Sequence, residues 1–87
     1  MTADDTSASE AGITTIDVRG MLCPLPVLKA VKRLKTMENG EKLCVIATDP
    51  AAVIDFPHFC NEAGHELIEA RKDDDDLIFV IRKSHGK

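Results

Sequence analysis

Three cysteines carry the chemistry open to this chain, and the one that stands apart is in the run Cys23-Pro24-Leu25-Pro26. A thiol is a nucleophile only as thiolate, and a helix N-terminus stabilises that anion. A residue before proline is pushed toward extended geometry, which is also the geometry of an N-cap, and Pro24 suits the first helical position. The spacing therefore predicts Cys23 as the N-cap of a helix, with its thiol lowered from about 8.5 into the range of roughly 3.5–7.5. Pro26 disfavours helical geometry at Leu25, so the first turn is expected to be tight or irregular. The plainer alternative is that the two prolines simply start a helix and Cys23 fills space. Cys44 sits in an apolar run and Cys60 in an apolar helical stripe, so both read as packed core thiols. An odd count excludes a fully paired disulfide framework within one chain, and no C-x-x-C is present.

Other groups are weaker candidates. His58 and Cys60 lack the second pair that a zinc site needs, His65 leads into a strand, and His85 lies near the C-terminus, so no metal is assigned. Asp49 reads as an N-cap. Arg19 is either a solvated strand-end residue or a cation that attracts incoming anionic sulfur. Lys29, Lys32, Arg33 and Lys35 form a basic stripe on the helix that follows Cys23. Cations favour a helix C-terminus, and the same stripe offers a surface for an acidic partner. The acidic run Asp73 to Asp76 reads as a solvated hairpin turn.

The elements that position these residues follow from periodicity. Residues 13–18 are rich in β-branched side chains and predict a strand. Val27, Ala30, Val31 and Leu34 share one helical face, with Asn39-Gly40 as the expected stop. Residues 43–47 form an apolar strand. Asp49-Pro50 opens a second helix that Pro57 is expected to break or restart, Phe56, Phe59, Cys60 and Ala63 form its apolar stripe, and Gly64 ends it. Residues 66–71 and 77–83 are two further strands. The order β-α-β-α-β-β implies parallel strands joined by helical crossovers and a closing hairpin, hence an α+β two-layer α/β sandwich with both helices on one face. Residues 1–12 read as a flexible acidic tail, residues 13–83 as the folded unit, and residues 84–87 as a loose end.

Composition narrows the function classes. The chain has 87 residues, 11 basic and 15 acidic side chains, a net charge of −4, and neither Trp nor Tyr. Near-absence of aromatics argues against a base-stacking surface, and the acidity argues against nucleic-acid binding by overall charge. No apolar run reaches the ~18 residues of a membrane span, and the N-terminus lacks the pattern of a secretory signal, so the cytoplasm is expected.

The segment Asp17 to Pro26, with Val27-Leu28-Lys29-Ala30, Gly40, Ala47-Thr48-Asp49-Pro50, Asp55-Phe56-Pro57 and Gly64-His65-Glu66-Leu67, resembles the TusA/SirA family of sulfur carrier proteins. The resemblance spans essentially residues 13 to 83. It implies a four-stranded mixed sheet with the last strand inside, and a sulfur relay in which Cys23 carries sulfur as a persulfide. It also places Asp49 near that cysteine, where it shapes partner or acceptor binding. Implied partners are a cysteine desulfurase or rhodanese-like donor and a downstream relay protein, with tRNA 2-thiolation, sulfur oxidation or molybdenum-cofactor maturation as destinations. The reading is of a monomer without cofactor that meets tRNA only indirectly. Two other classes stay open: a thiol redox protein with Cys60 resolving, and an interaction module that does not use Cys23.

Overall fold

The computed structural model describes residues 13–84; the proposed tail over residues 1–12 and residues 85–87 lie outside them. The element order is β1 (Ile13–Asp17), α1 (Leu25–Leu34), β2 (Lys42–Ala47), α2 (Ala52–Ala63), β3 (Glu66–Asp73) and β4 (Asp76–Arg82). The sheet order is β1-β2-β4-β3. β1 and β2 run parallel, while β4 is antiparallel to both β2 and β3. This is the expected mixed sheet of four strands, with β4 inside it.

Alternation along β2 shows how the layers form. Leu43, Val45 and Ala47 are buried, while Lys42, Cys44 and Ile46 are half-buried on the other face. The buried set packs with Ala30 and Leu34 of α1, Phe56 and Cys60 of α2, and Phe79 and Ile81 of β4. Both helices therefore cover one face of the sheet. Cys44 belongs to the opposite face, next to the Thr15 hydroxyl, which corrects its assignment to the core. Period-two geometry forces this, because its neighbours Leu43 and Val45 take the helix side.

Three local expectations differ from the structure. α1 ends at Leu34, not at Asn39-Gly40: the chain tightens as Thr36 and Met37 donate to the Arg33 and Leu34 carbonyls. The Lys83 ammonium then donates to the carbonyls of Leu34 (2.6 Å) and Met37 (2.7 Å), closing the orphaned end from across the fold. Gly40, at φ +93°, instead turns the chain into β2 and donates to the Lys83 carbonyl. α2 runs through Pro57 without a break. A proline there leaves the Val53 carbonyl without its helical donor. Pro57 and Val53 are both exposed, on the solvent side of α2, while Phe56 and Cys60 keep the buried stripe in register. Lastly, the closing hairpin is longer than expected, with Asp73 paired to Asp76 and Asp74 at φ +62° in its turn. Aspartate tolerates that left-handed geometry. Ser84, placed in the loose end, donates its N–H to His65 Nδ1 at 3.2 Å.

Cys60 is buried, and burial pushes its thiol up to about 11. The unfolded chain ionises near the ordinary cysteine value, so this thiol's contribution is whole below about pH 8.5–9 and fades as the pH rises toward 11. Urea midpoints measured from pH 8 to 11 are expected to fall by the equivalent of about 2 kcal/mol, and Cys60→Ala is expected to remove most of that fall.

Candidate functional site

The site is built on the loop between β1 and α1. Val18 is buried and donates to the Ile46 carbonyl (2.9 Å), fixing where the loop leaves the sheet. Met21 N–H returns to the Val18 carbonyl (3.1 Å), closing a turn whose third residue, Gly20, has φ +83°. Only glycine takes that conformation without strain. The loop then meets the segment following β2. Gly20 N–H donates to Thr48 Oγ1 (2.9 Å), and Cys23 N–H donates to Asp49 Oδ2 (2.7 Å). The other oxygen of Asp49 accepts from Ala51 N–H (3.2 Å), and its backbone carbonyl accepts from Ala52 N–H (2.9 Å). Asp49 thus organises the start of α2 from just before it, with Ala51 at the N-cap position. One carboxylate ties the thiol loop to the second helix, which places Asp49 beside Cys23 as the resemblance implied.

Asp49→Ala removes two hydrogen bonds, one of them short and charge-assisted. A loss of about 1–3 kcal/mol is expected, read as a lower urea midpoint, with faster proteolysis in the loop over residues 19–24.

Cys23 itself departs from the sequence reading in two respects. The N-cap is Pro24 and the helix begins at Leu25, so Cys23 stands one position outside, in a turn closed by Leu25 N–H to the Leu22 carbonyl (2.9 Å). Pro26 is buried inside the first turn, and the Cys23–Pro24 peptide is cis. Second, the thiol is raised, not lowered, from its ordinary value. The largest cause is a hydrogen bond to the Asp55 carboxylate, followed by some loss of hydration and by the negative charges of Asp55 and Asp49. The helix end offers few donors against this. Residues 24 and 26 are prolines with no N–H, and the N–H of Leu25 is engaged by Leu22.

Arg19 is an ion-pairing residue. Its guanidinium is held by both oxygens of Asp17 (Nε 3.0 Å, a second nitrogen 2.9 Å) and approaches Asp76 at 3.5 Å. The Asp17 carboxyl is correspondingly held below its usual range. Arg19 is thus a half-exposed tie between the ends of β1 and β4. Of the basic stripe, Lys29, Lys32 and Arg33 line a groove of about 340 Å³ with Ile16, Met21 and Thr36 at the β1 edge. Lys35 lies exposed beyond the end of α1.

Two features escaped the sequence reading. Asp55 is one: it lies in the first turn of α2 and reaches Cys23 only because the two helix starts converge. A collar of exposed apolar side chains is the other. Leu22, Leu25, Leu28, Val53 and Ile54 all lie on the cysteine loop or the opening turns of the two helices, and Ile54 is 73% exposed. Leu22 and Leu25, flanking a cysteine between polar-faced elements, are the signal that was present for it. Elsewhere, His58 is exposed while Cys60 points into the core, and no group of three or more His, Cys, Asp or Glu among the described residues is arranged to hold a metal ion.

A small α/β sandwich that raises one exposed thiol on a braced loop, ringed by apolar side chains, has the build of a thiol carrier that docks into other proteins. Comparison with known proteins agrees. Residues 14–83 match the family model described as sulfurtransferase TusA. The chain is 45% identical over 69 residues to the sulfur carrier protein TusA of Allochromatium vinosum, covering 79% of this chain and 91% of that one. The crystal structure of a SirA-like protein from Desulfitobacterium hafniense superposes with a TM-score of 0.72 at 27% identity, over 84% of this chain and 99% of that one. The chain belongs to the TusA/SirA family of sulfur carriers.

Proposed function

We propose that the protein accepts a sulfane sulfur on Cys23, carries it as a persulfide and hands it to a second protein, without turning over a small molecule of its own. The observation that carries this reading is the contrast among the three thiols: Cys23 is exposed, Cys44 half-buried and Cys60 buried. Loading is an exchange without net oxidation. Cys23 Sγ attacks the outer sulfur of a donor protein's persulfide, and a new S–S bond forms on Cys23. The donor's S–S bond breaks with its electron pair left on the donor cysteine, and the Cys23 proton ends on that sulfur. Release runs the same step with Cys23 as the leaving sulfur. A cysteine desulfurase or rhodanese-like protein suits the donor role, and a relay protein suits the acceptor role, with tRNA met only indirectly.

The apolar collar supplies burial at such a contact, and the cationic face of α1 supplies orientation toward an acidic rim. Among the described residues no helix is long and apolar enough to cross a membrane. A free-thiol carrier suits a reducing compartment, and we place it in the cytoplasm. A redox role with Cys60 as resolving thiol gains no support, because that sulfur is 3% exposed and its thiol is pushed up to about 11. The carrier reading is tested by loading with radiolabelled sulfur from a desulfurase. Labelling is expected to saturate at one sulfur per chain and to leave only when an acceptor is added. Continuous release of sulfide without an acceptor would identify an enzyme instead.

A further inference from the structure

Backbone pairing between β1 and β2 runs out at Val18, whose N–H donates to the Ile46 carbonyl (2.9 Å). From there the thiol loop is held to the segment after β2 by side chains. Gly20 N–H donates to Thr48 Oγ1 (2.9 Å), and Cys23 N–H donates to Asp49 Oδ2 (2.7 Å). The two acceptors differ in what else they hold. Asp49 also accepts from Ala51 N–H at the start of α2, so it serves the fold as well as the loop. Among the described residues the Thr48 side chain hydrogen-bonds to the loop alone. It does so at Gly20, whose φ of +83° turns the chain toward Cys23. A glycine has the most backbone freedom to lose, so a turn built on one needs an external hold. Among the described residues, nothing beyond its chain neighbours stands within 4 Å of the place a Cβ would take on Gly20. Packing on that side therefore does not hold the turn, and the bond to Thr48 does.

We propose that Thr48 is a positioning residue for sulfur transfer: its hydroxyl accepts the Gly20 N–H, pins the glycine turn, and so fixes where the loop presents the Cys23 sulfur. The proposal rests on Cys23 being the carrier thiol and names what aims it. One bond at Cys23 leaves the loop free to pivot about Asp49; the second, at Gly20, removes that freedom. Exchange at sulfur needs the attacking, attacked and leaving atoms close to one line, and a misplacement of about 1 Å can cost up to about a hundredfold in rate. A rotation of about 10° at Gly20 moves a sulfur roughly 6–10 Å away by about 1–2 Å. Loss of this one acceptor is therefore large enough to matter for transfer.

The test compares Thr48→Val, which keeps the shape of threonine without the acceptor, with Thr48→Ser, which keeps the hydroxyl. Single-turnover uptake of radiolabelled sulfur by the whole chain is measured at increasing concentrations of a persulfidated cysteine desulfurase. In Thr48→Val the limiting rate is expected to fall about tenfold, with the half-saturating donor concentration little changed. Thr48→Ser is expected to stay within about threefold of the wild type. Iodoacetamide addition at Cys23, read by peptide mass, needs no docked geometry, and its rate is expected to stay within about twofold in both variants. An unchanged limiting rate in Thr48→Val, an equal fall in Thr48→Ser, a change confined to the half-saturating concentration, or a fall shared by alkylation overturns the proposal. A wild type that takes up no sulfur on Cys23 overturns the carrier reading and this one with it, so the two failures are distinct.

Discussion

Cys23→Ser is expected to abolish sulfur loading, to less than about one part in a hundred of the wild-type yield. A serine hydroxyl is nearly the same size and keeps the Cys23 N–H bond to Asp49, so the loop stays in place. It has no thiolate with which to attack a donor persulfide. The other two thiols do not substitute. Cys60 is sealed between α2 and the sheet, and burial pushes its thiol up to about 11. Cys44 points from the far face of the sheet, half-buried beside Thr15, and burial raises it as well. Neither is exposed as Cys23 is on its loop. Intact mass after incubation with a cysteine desulfurase and cysteine reads the result, and the variant's urea midpoint shows that the fold persists.

The second large effect is on stability. Phe56 is fully buried, and its ring stacks on Phe79 with centroids 4.8 Å apart. It fixes α2 to the centre of the sheet, and α2 in turn carries Asp55 and the turn that Asp49 braces. Phe56→Ala is expected to cost about 3–5 kcal/mol through lost burial and a cavity that a small core cannot close. A domain of this size has about 4–10 kcal/mol in total, so a large share of the fold's margin disappears. Phe56→Leu keeps most of the volume and is expected to cost nearer 1–2 kcal/mol. Chemical denaturation separates the two variants, and equal midpoints would mean that side-chain volume at position 56 contributes nothing.

The elements that hold the thiol were readable because their patterns are long. The face of Val27, Ala30, Val31 and Leu34, the β-branched run before Asp17 and the apolar segment Leu43 to Ala47 each repeat at one period. Six elements in that order leave few topologies. Ends were harder. The cation that closes α1 is Lys83, 49 residues further along the chain, so nothing near Leu34 announced the helix end. Pro57 is tolerated because of which side of α2 faces solvent, which is a tertiary fact. Burial of Cys44 was misjudged because a continuous apolar run does not say which residues face the helices.

At the site, the local signal and the global one point different ways. Cys-Pro-x-Pro correctly marks an exposed thiol at a helix start. The same two prolines, however, remove two of the N–H groups that an anion-stabilising helix end uses, and the acidity of the surroundings comes from residues 49 and 55, far along the chain. Sequence position alone therefore located the sulfur but assigned its ionisation the wrong sign. Arg19 follows the same logic: adjacent in sequence to the cysteine loop, it is paired with Asp17, two residues before it, and with Asp76, far along the chain.

The central claim is that sulfur rides on Cys23, and the most direct test is to locate it. Wild-type protein is incubated with a cysteine desulfurase and cysteine, digested under non-reducing conditions, and each cysteine-bearing peptide is sequenced by mass spectrometry. One added sulfur on the peptide containing Cys23, lost on reduction, is the expected result. Added sulfur on the peptides of Cys44 or Cys60, or on none of the three, would contradict the account.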